Sequence, residues 1–307
     1  MSYNTAVMPL IHREGLLKLI NDGIMNVPAT FKSIVPNTIN SRQAYEQIQT
    51  HAGLGLFQNF NEAEGVSYDS IVPRFTKTYT PILRSLGLKH TKQSAQKDLY
   101  SFIKTFAPMI SESAVATRNL LACNVLNLGF SSTTMASPDG VALFSASHPI
   151  IQYGTTSSNY GTDSLSGLAL ESAIQTVRDT KTDRGLPKYY RGGFNLVVGP
   201  LNEGIAHRAV KSVGLQGTAN NDTNTYVSSN IKEIIPDQMV GFNMSSAAYK
   251  WFLVPVSAQD NPLVEISVAA MSTDTDYDID FQTTKFVASF ETLYDCLGWR
   301  GLYGSNC

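Results

Sequence analysis

The sequence predicts an α+β protein in which one long helix crosses a strand-rich body and a thin ribbon lies outside it. Three observations carry that expectation. Apolar residues recur at helical spacing from Leu99 to Leu128. The stretch before them, RFTKTYTPILRSLGLKHTK, is rich in β-branched and aromatic residues yet has no strongly apolar face. After the helix, short strands and further helices alternate with loops rich in Gly, Ser, Thr and Asn.

Composition narrows the function classes. Of 307 residues, 43% are hydrophobic, enough for a real core, but only 16% are charged. That is low against a typical ~25%. A lightly charged chain with many neutral polar residues hides surface against partners, which leans toward assembly. Lys and Arg number 23 against 25 Asp and Glu, for a net charge of −2, and no basic cluster occurs. A role in gripping DNA draws on such clusters, so it is not expected. Three widely spaced cysteines, Cys123, Cys296 and Cys307, give neither a disulfide framework nor a zinc pattern. Cys123 falls in the helical stripe and reads as a small buried hydrophobe. The first residues, MSYNTAVMPLIHREG, lack the pattern of a secretory signal. No run approaches the ~20 apolar residues of a membrane span, and the expected compartment is cytoplasmic.

Element by element, Ile11 to Asn21 reads as a short amphipathic helix with Leu16, Leu17, Leu19 and Ile20 inward, stopped by Gly23. Pro28 and Pro36 then break regularity, so the first fifty-odd residues form an arm that must lie on something else. Phe57 to Thr91 reads as a long hairpin. Phe75, Lys77 and Tyr79 share one strand face and Thr76, Thr78 and Thr80 the other. Such a hairpin is marginal alone in water and calls for a neighbouring surface. Gln96 to Leu128 is one helix, kinked or restarted at Pro108 and ended by Gly129. Its span of roughly 50 Å suits the backbone of a whole domain. Leu165 to Thr180 is a helix capped by Ser164 or Ser166. Phe194 to Pro200 is a buried strand, and Leu201 to Val213 a helix. Ile231 to Ile235, Met239 to Phe242, Tyr249 to Val256, Val264 to Met271 and Lys285 to Tyr294 read as strands. Gly214 to Asn230 reads as a surface loop.

Candidate chemistry centres on LFSASHPI, Leu143 to Ile150. A serine hydrolase would use Ser145 or Ser147 with His148. The stretch lacks the glycines of a nucleophile elbow. Adjacent side chains of an extended segment face opposite ways, so Ser147 and His148 do not meet. A histidine that pins a loop is the stronger reading. His12, His51, His90 and His207 show no metal-ligand spacing. Asp274, Asp276, Asp278 and Asp280 alternate with other residues, either on one strand face or around a loop. A calcium loop would need a glycine and an earlier glutamate than Glu291, so a solvated acidic loop is favoured. Gly192-Gly193 matches no phosphate-binding pattern and reads as a turn before a strand. No catalytic, cofactor-binding or metal-ligating residue is assigned, and no cofactor is expected.

The order of elements, together with ALFSASHPIIQYGTTSSN and the late GWRGLYG (Gly298 to Gly304), resembles the HK97-fold major capsid proteins of tailed bacteriophages, most closely the Mu-type major head proteins. The resemblance implies an α+β HK97-like fold. Residues 1–52 would be an N-terminal arm and 53–93 an extended hairpin loop. Residues 94–164 would be a peripheral domain with the spine helix, 165–262 an inserted axial domain, and 263–307 the C-terminal peripheral strands. It implies a non-enzymatic protein that assembles with itself into hexamers and pentamers of an icosahedral shell around double-stranded DNA. The alternative is another self-assembling virion component, such as a tail-tube or decoration protein, against which the long spine helix argues. Further implied partners are a portal protein, a separate scaffolding protein and a decoration or cement protein. DNA would be contacted non-specifically, and no membrane is involved. Many relatives carry a long cleaved scaffolding segment where this sequence has a short arm, which implies a separate scaffold or none. Lys77, Lys89 and Lys92 lie in the hairpin, but nothing in the sequence positions them for the covalent cross-link of the prototype.

Overall fold

The structure is a computed structural model. It describes residues 28–60, 65–93, 102–150, 154–214, 223–242 and 249–307, with the side chains of 90 and 102–107 set aside. The helix read at Ile11 to Asn21, the start of the long helix and part of the loop read at Gly214 to Asn230 lie outside the described residues.

The organising element is helix α2 (Phe102–Asn127), which follows a single turn, α1 (Phe31–Ile34). Pro108 sits inside α2 and the helix continues through it. The side it buries explains why: Ile110 and Val125 of the stripe read from sequence are buried, with Val115, Ala122, Cys123 and Leu126 beside them, whereas Ala114, Thr117, Leu121 and Leu128 of that stripe are half-buried. This burial outweighs the hydrogen bond that proline removes. Beside α2 runs a four-stranded sheet in the order β1 (Asn37–Asn40), β11 (Leu263–Asp278), β12 (Thr283–Cys296), β4 (Ile82–Thr91). Arg118 of α2 ties helix to sheet by donating to Glu265 and, at 3.1 Å, to the Tyr294 hydroxyl. Alternation along β12 is clean from Phe286 to Cys296, with every even-numbered residue buried. This is the period-two signature of a half-covered sheet.

A second, five-stranded sheet has the order β7 (Tyr160–Gly161), β13 (Tyr303–Ser305), β10 (Trp251–Pro255), β8 (Phe194–Val198), β9 (Ile231–Pro236). Its central strands β8 and β10 are buried at every residue. Val197, Phe252 and Val254 face the core shared with α2. Leu196, Val198, Trp251 and Leu253 face a second core built with α3 (Gly167–Arg178), α4 (Pro200–Lys211) and α5 (Thr225–Asn230). Two covered faces explain why WFLVP, and FNLVV apart from the buried Asn195, read as apolar runs. Ser166 caps α3 by accepting from the Ala169 N–H at 3.1 Å.

Four expectations are corrected. The hairpin does not close within 57–91. Its strands are β2 (Glu46–His51) and β3 (Pro73–Tyr79), and β4 instead pairs with β12 along its whole length. Pro81, which offers no N–H, separates β3 from β4 where the chain leaves one sheet for the other. Glu46–His51, read as part of the arm, is therefore hairpin. Residues 238–242 are turn rather than strand, because Asn127 at the end of α2 clasps them: its side chain donates to Met239 O (2.8 Å) and accepts from the Gly241 N–H (3.1 Å). The acidic stretch is no loop: Asp274, Asp276 and Asp278 belong to β11, and only Asp280 lies in the turn. Lys285 across the ladder offsets their repulsion, donating to Asp278 at 2.9 Å. Finally, part of the stretch read as a loop from Gly214 to Asn230 is the short helix α5.

Candidate functional site

The residues singled out for chemistry converge on His148. It opens β5 (His148–Ile150), which pairs with β6 (Thr155–Ser157), and it is fully buried. Its Nδ1 meets Asp139 Oδ2 at 2.7 Å. Its Nε2 lies 3.3 Å from Leu143 O and 3.2 Å from Asn159 Oδ1. The ring stacks flat on Trp299, centroids 4.2 Å apart and planes within 7°. A histidine oriented by an aspartate is the beginning of a triad, but a triad needs the other nitrogen to face the nucleophile. Here that nitrogen faces a backbone carbonyl and an amide oxygen. The two serines turn to each other instead: the Ser147 N–H donates to Ser145 Oγ at 3.2 Å. The structure thus brings Ser145, Ser147 and His148 close in sequence without joining them in chemistry.

What the cluster does is fasten. Asn159, which sequence reasoning did not single out, accepts from the Ser145 N–H (2.9 Å) and donates to Leu143 O (2.9 Å). Phe144 inserts beneath the C-terminal strand so closely that a Cβ at Gly304 would stand 2.7 Å from its ring. LFSASHPI and GWRGLYG are therefore two halves of one buried joint, between the end of α2 and the C-terminus. No sequence signal marks Asn159, because its contact with His148 exists only in the fold.

The other candidates stay apart. Among the described residues no group of His, Cys, Asp and Glu has the geometry to hold a metal ion. Gly192 and Gly193 take positive φ (81° and 85°) at the turn into β8. Burial pushes the Cys123 thiol well above its ordinary value, and the same cause raises the Tyr79 phenol.

The remaining site is the hairpin. Its stem lies on the body. Tyr79 is buried against Val264 and Ile266 and donates to Cys296 O at 2.9 Å. Lys77 donates to Ala136 O and to Asp295, both at 2.7 Å. Arg74 pairs with Asp183 at 3.1 Å. Beyond the stem the picture reverses. Leu54, Leu56, Phe57, Phe60, Val66, Tyr68 and Ile71 are all exposed, Phe57 completely. Of these, Leu54, Leu56, Phe57, Phe60 and Val66 line a cup of about 530 Å³ beyond the stem. So dense a set of uncovered large apolar side chains marks an interaction surface. Among the described residues, no helix is long and apolar enough to cross a membrane.

Comparison with known proteins points the same way. The sequence pattern of the family described as "Phage capsid protein" matches residues 87–305. No curated protein matches. Among solved structures, the chain is similar to the capsid of the cyanophage P-SCSP1u, with a TM-score of 0.60 and 10% identity over 90% of this chain and 87% of that one. It is similar to a virus-like particle from Pyrococcus furiosus, with a TM-score of 0.56 and 10% identity over 95% and 98% of the two chains. It is similar also to the procapsid of bacteriophage JBD30, with a TM-score of 0.55 and 12% identity over 99% and 76%.

Proposed function

The chain belongs to the phage capsid protein family and is a major capsid protein of an icosahedral shell, with the HK97-like fold; from that premise we propose that its copies join through the uncovered hairpin tip. The observation that carries the reading is the contrast along one ribbon between a stem fixed to its own body and an apolar end with nothing on it. Burying each large tip side chain on a neighbour contributes roughly 1.5–3 kcal/mol before the cost of association. We propose that the tip meets a different patch of its neighbour, a head-to-tail contact that closes into rings. Hexamers and pentamers are the rings we propose, closing around packaged double-stranded DNA in the host cytoplasm. Within the family we place the chain with the Mu-type head proteins, on the LFSASHPI and GWRGLYG segments. A portal protein, a separate scaffolding protein and a decoration protein are the further partners of this reading, and residues 165–262 its axial domain, which the C-terminal strand β13 completes by pairing with β10.

The same reading makes the protein structural rather than enzymatic. The engaged nitrogens of His148 support this, because neither is free to take a proton from a serine. Electron microscopy of the concentrated purified protein tests the proposal. Shells, or ring-shaped capsomers, are expected; particles that stay monomeric at every concentration and salt would refute it.

A further inference from the structure

The hairpin is gripped at a defined point. Residues 182–186 form a tight turn, in which the Thr182 N–H donates to Leu186 O (2.7 Å) and the Gly185 N–H to Thr182 O (2.9 Å). The apex of that turn carries Asp183 and Arg184, and both face the ribbon. Asp183 Oδ1 takes Arg74 from the stem at 3.1 Å and Arg300 from the C-terminal turn at 2.7 Å. All three side chains are largely buried. Arg184 reaches both sides of the ribbon at its neck. It donates to Asp69 Oδ1 (3.0 Å) and Ser70 O (2.8 Å) on the returning side, and to Gly53 O (3.4 Å) on the outgoing side. One guanidinium thus spans the neck, which five donors in a rigid fork allow.

The position of this grip divides the ribbon. On the body side lie Arg74, Lys77 and Tyr79, each with a partner in the same chain. On the far side, between Gly53 and Asp69, lie the exposed Leu54, Leu56, Phe57, Phe60 and Tyr68. We propose that Asp183 and Arg184 form a latch that holds the stem so that residues 54–60 and 65–68 are presented to a second copy in one preset direction. The partner in this inference rests on the shell-building reading; the latch itself does not. Its use is preorganisation: a ribbon already held loses less freedom when it docks.

Hydrogen exchange of the full-length unassembled protein, followed by light-scattering assembly kinetics, tests it. Arg184→Met removes the exposed half of the latch without touching the buried pair. It should leave the melting temperature unchanged, speed exchange in peptides covering 53–72 by about 5-fold and slow assembly by a similar factor. Asp183→Asn should extend the faster exchange to 46–79. Wild-type exchange in the neck of Arg184→Met would overturn the latch, and faster exchange with unchanged assembly kinetics would overturn its role in presentation. Wild-type protein that never assembles would remove the shell-building reading while the exchange comparison still decides the latch.

Discussion

His148 is a polar side chain whose every group is spent on holding structure. Its ring is stacked on Trp299, one nitrogen is on Asp139, and the other faces Leu143 O and Asn159 Oδ1. Asp139 is itself buried, its side chain 4% exposed. His148→Ala should therefore cost about 3 kcal/mol or more, because it leaves a buried carboxylate without its partner and a void against Trp299. Ser145→Ala and Ser147→Ala should each stay within about 0.5 kcal/mol, as surface substitutions do. Chemical denaturation of the unassembled protein measures all three. A near-neutral His148→Ala would show that the cluster is not the joint described above. That histidine was readable from sequence as a pin, since an extended segment cannot aim neighbouring serine and histidine side chains at each other. Its partners were not, because Asp139, Asn159 and Trp299 come from three separate places in the chain, and only the fold brings them together.

Elements with one dominant physical cause were legible, and elements that depend on a distant partner were not. The spine helix announced itself by an unbroken apolar stripe, and β8 and β10 by apolar runs bounded by turns. By contrast EQIQTH (Glu46–His51) carries almost no strand signal of its own. It is a strand because Pro73–Tyr79 lies beside it, across a connection far longer than an ordinary hairpin turn. The acidic half of β11 failed for the complementary reason: Asp disfavours strands, and composition outweighed an alternation that was present in the sequence. Gly193 shows how a small signal can be decisive. Its φ of 85° is strained for any side chain, and a Cβ there would stand 2.3 Å from Asn230 O. Gly193→Ala should destabilise the protein by more than about 1 kcal/mol through both effects. Thermal melting should show this, whereas Gly204→Ala, in a helix with open space around it, should not lose stability.

At the scale of the whole molecule the question is where stability ends and assembly begins. The two cores, the buried joint and the fixed stem satisfy the body by itself; the tip contributes nothing to that account. Its exposed residues have little contact to lose within one chain, so Phe57→Ser with Phe60→Ser should shift the stability of the unassembled protein by no more than about 0.5 kcal/mol. The same double substitution removes two of the largest apolar anchors offered to a neighbour. Interfaces concentrate their energy in such side chains, so the change should abolish shells or raise the concentration needed for them at least about 10-fold. Melting temperature and a concentration series by electron microscopy separate the two readouts. If the variant melts early and also fails to assemble, the tip packs on its own body and the division between stem and tip is wrong. If it melts normally and assembles normally, copies meet through some other surface. Normal melting with lost assembly fits a body stable in itself, whose exposed apolar tip is completed by the next copy.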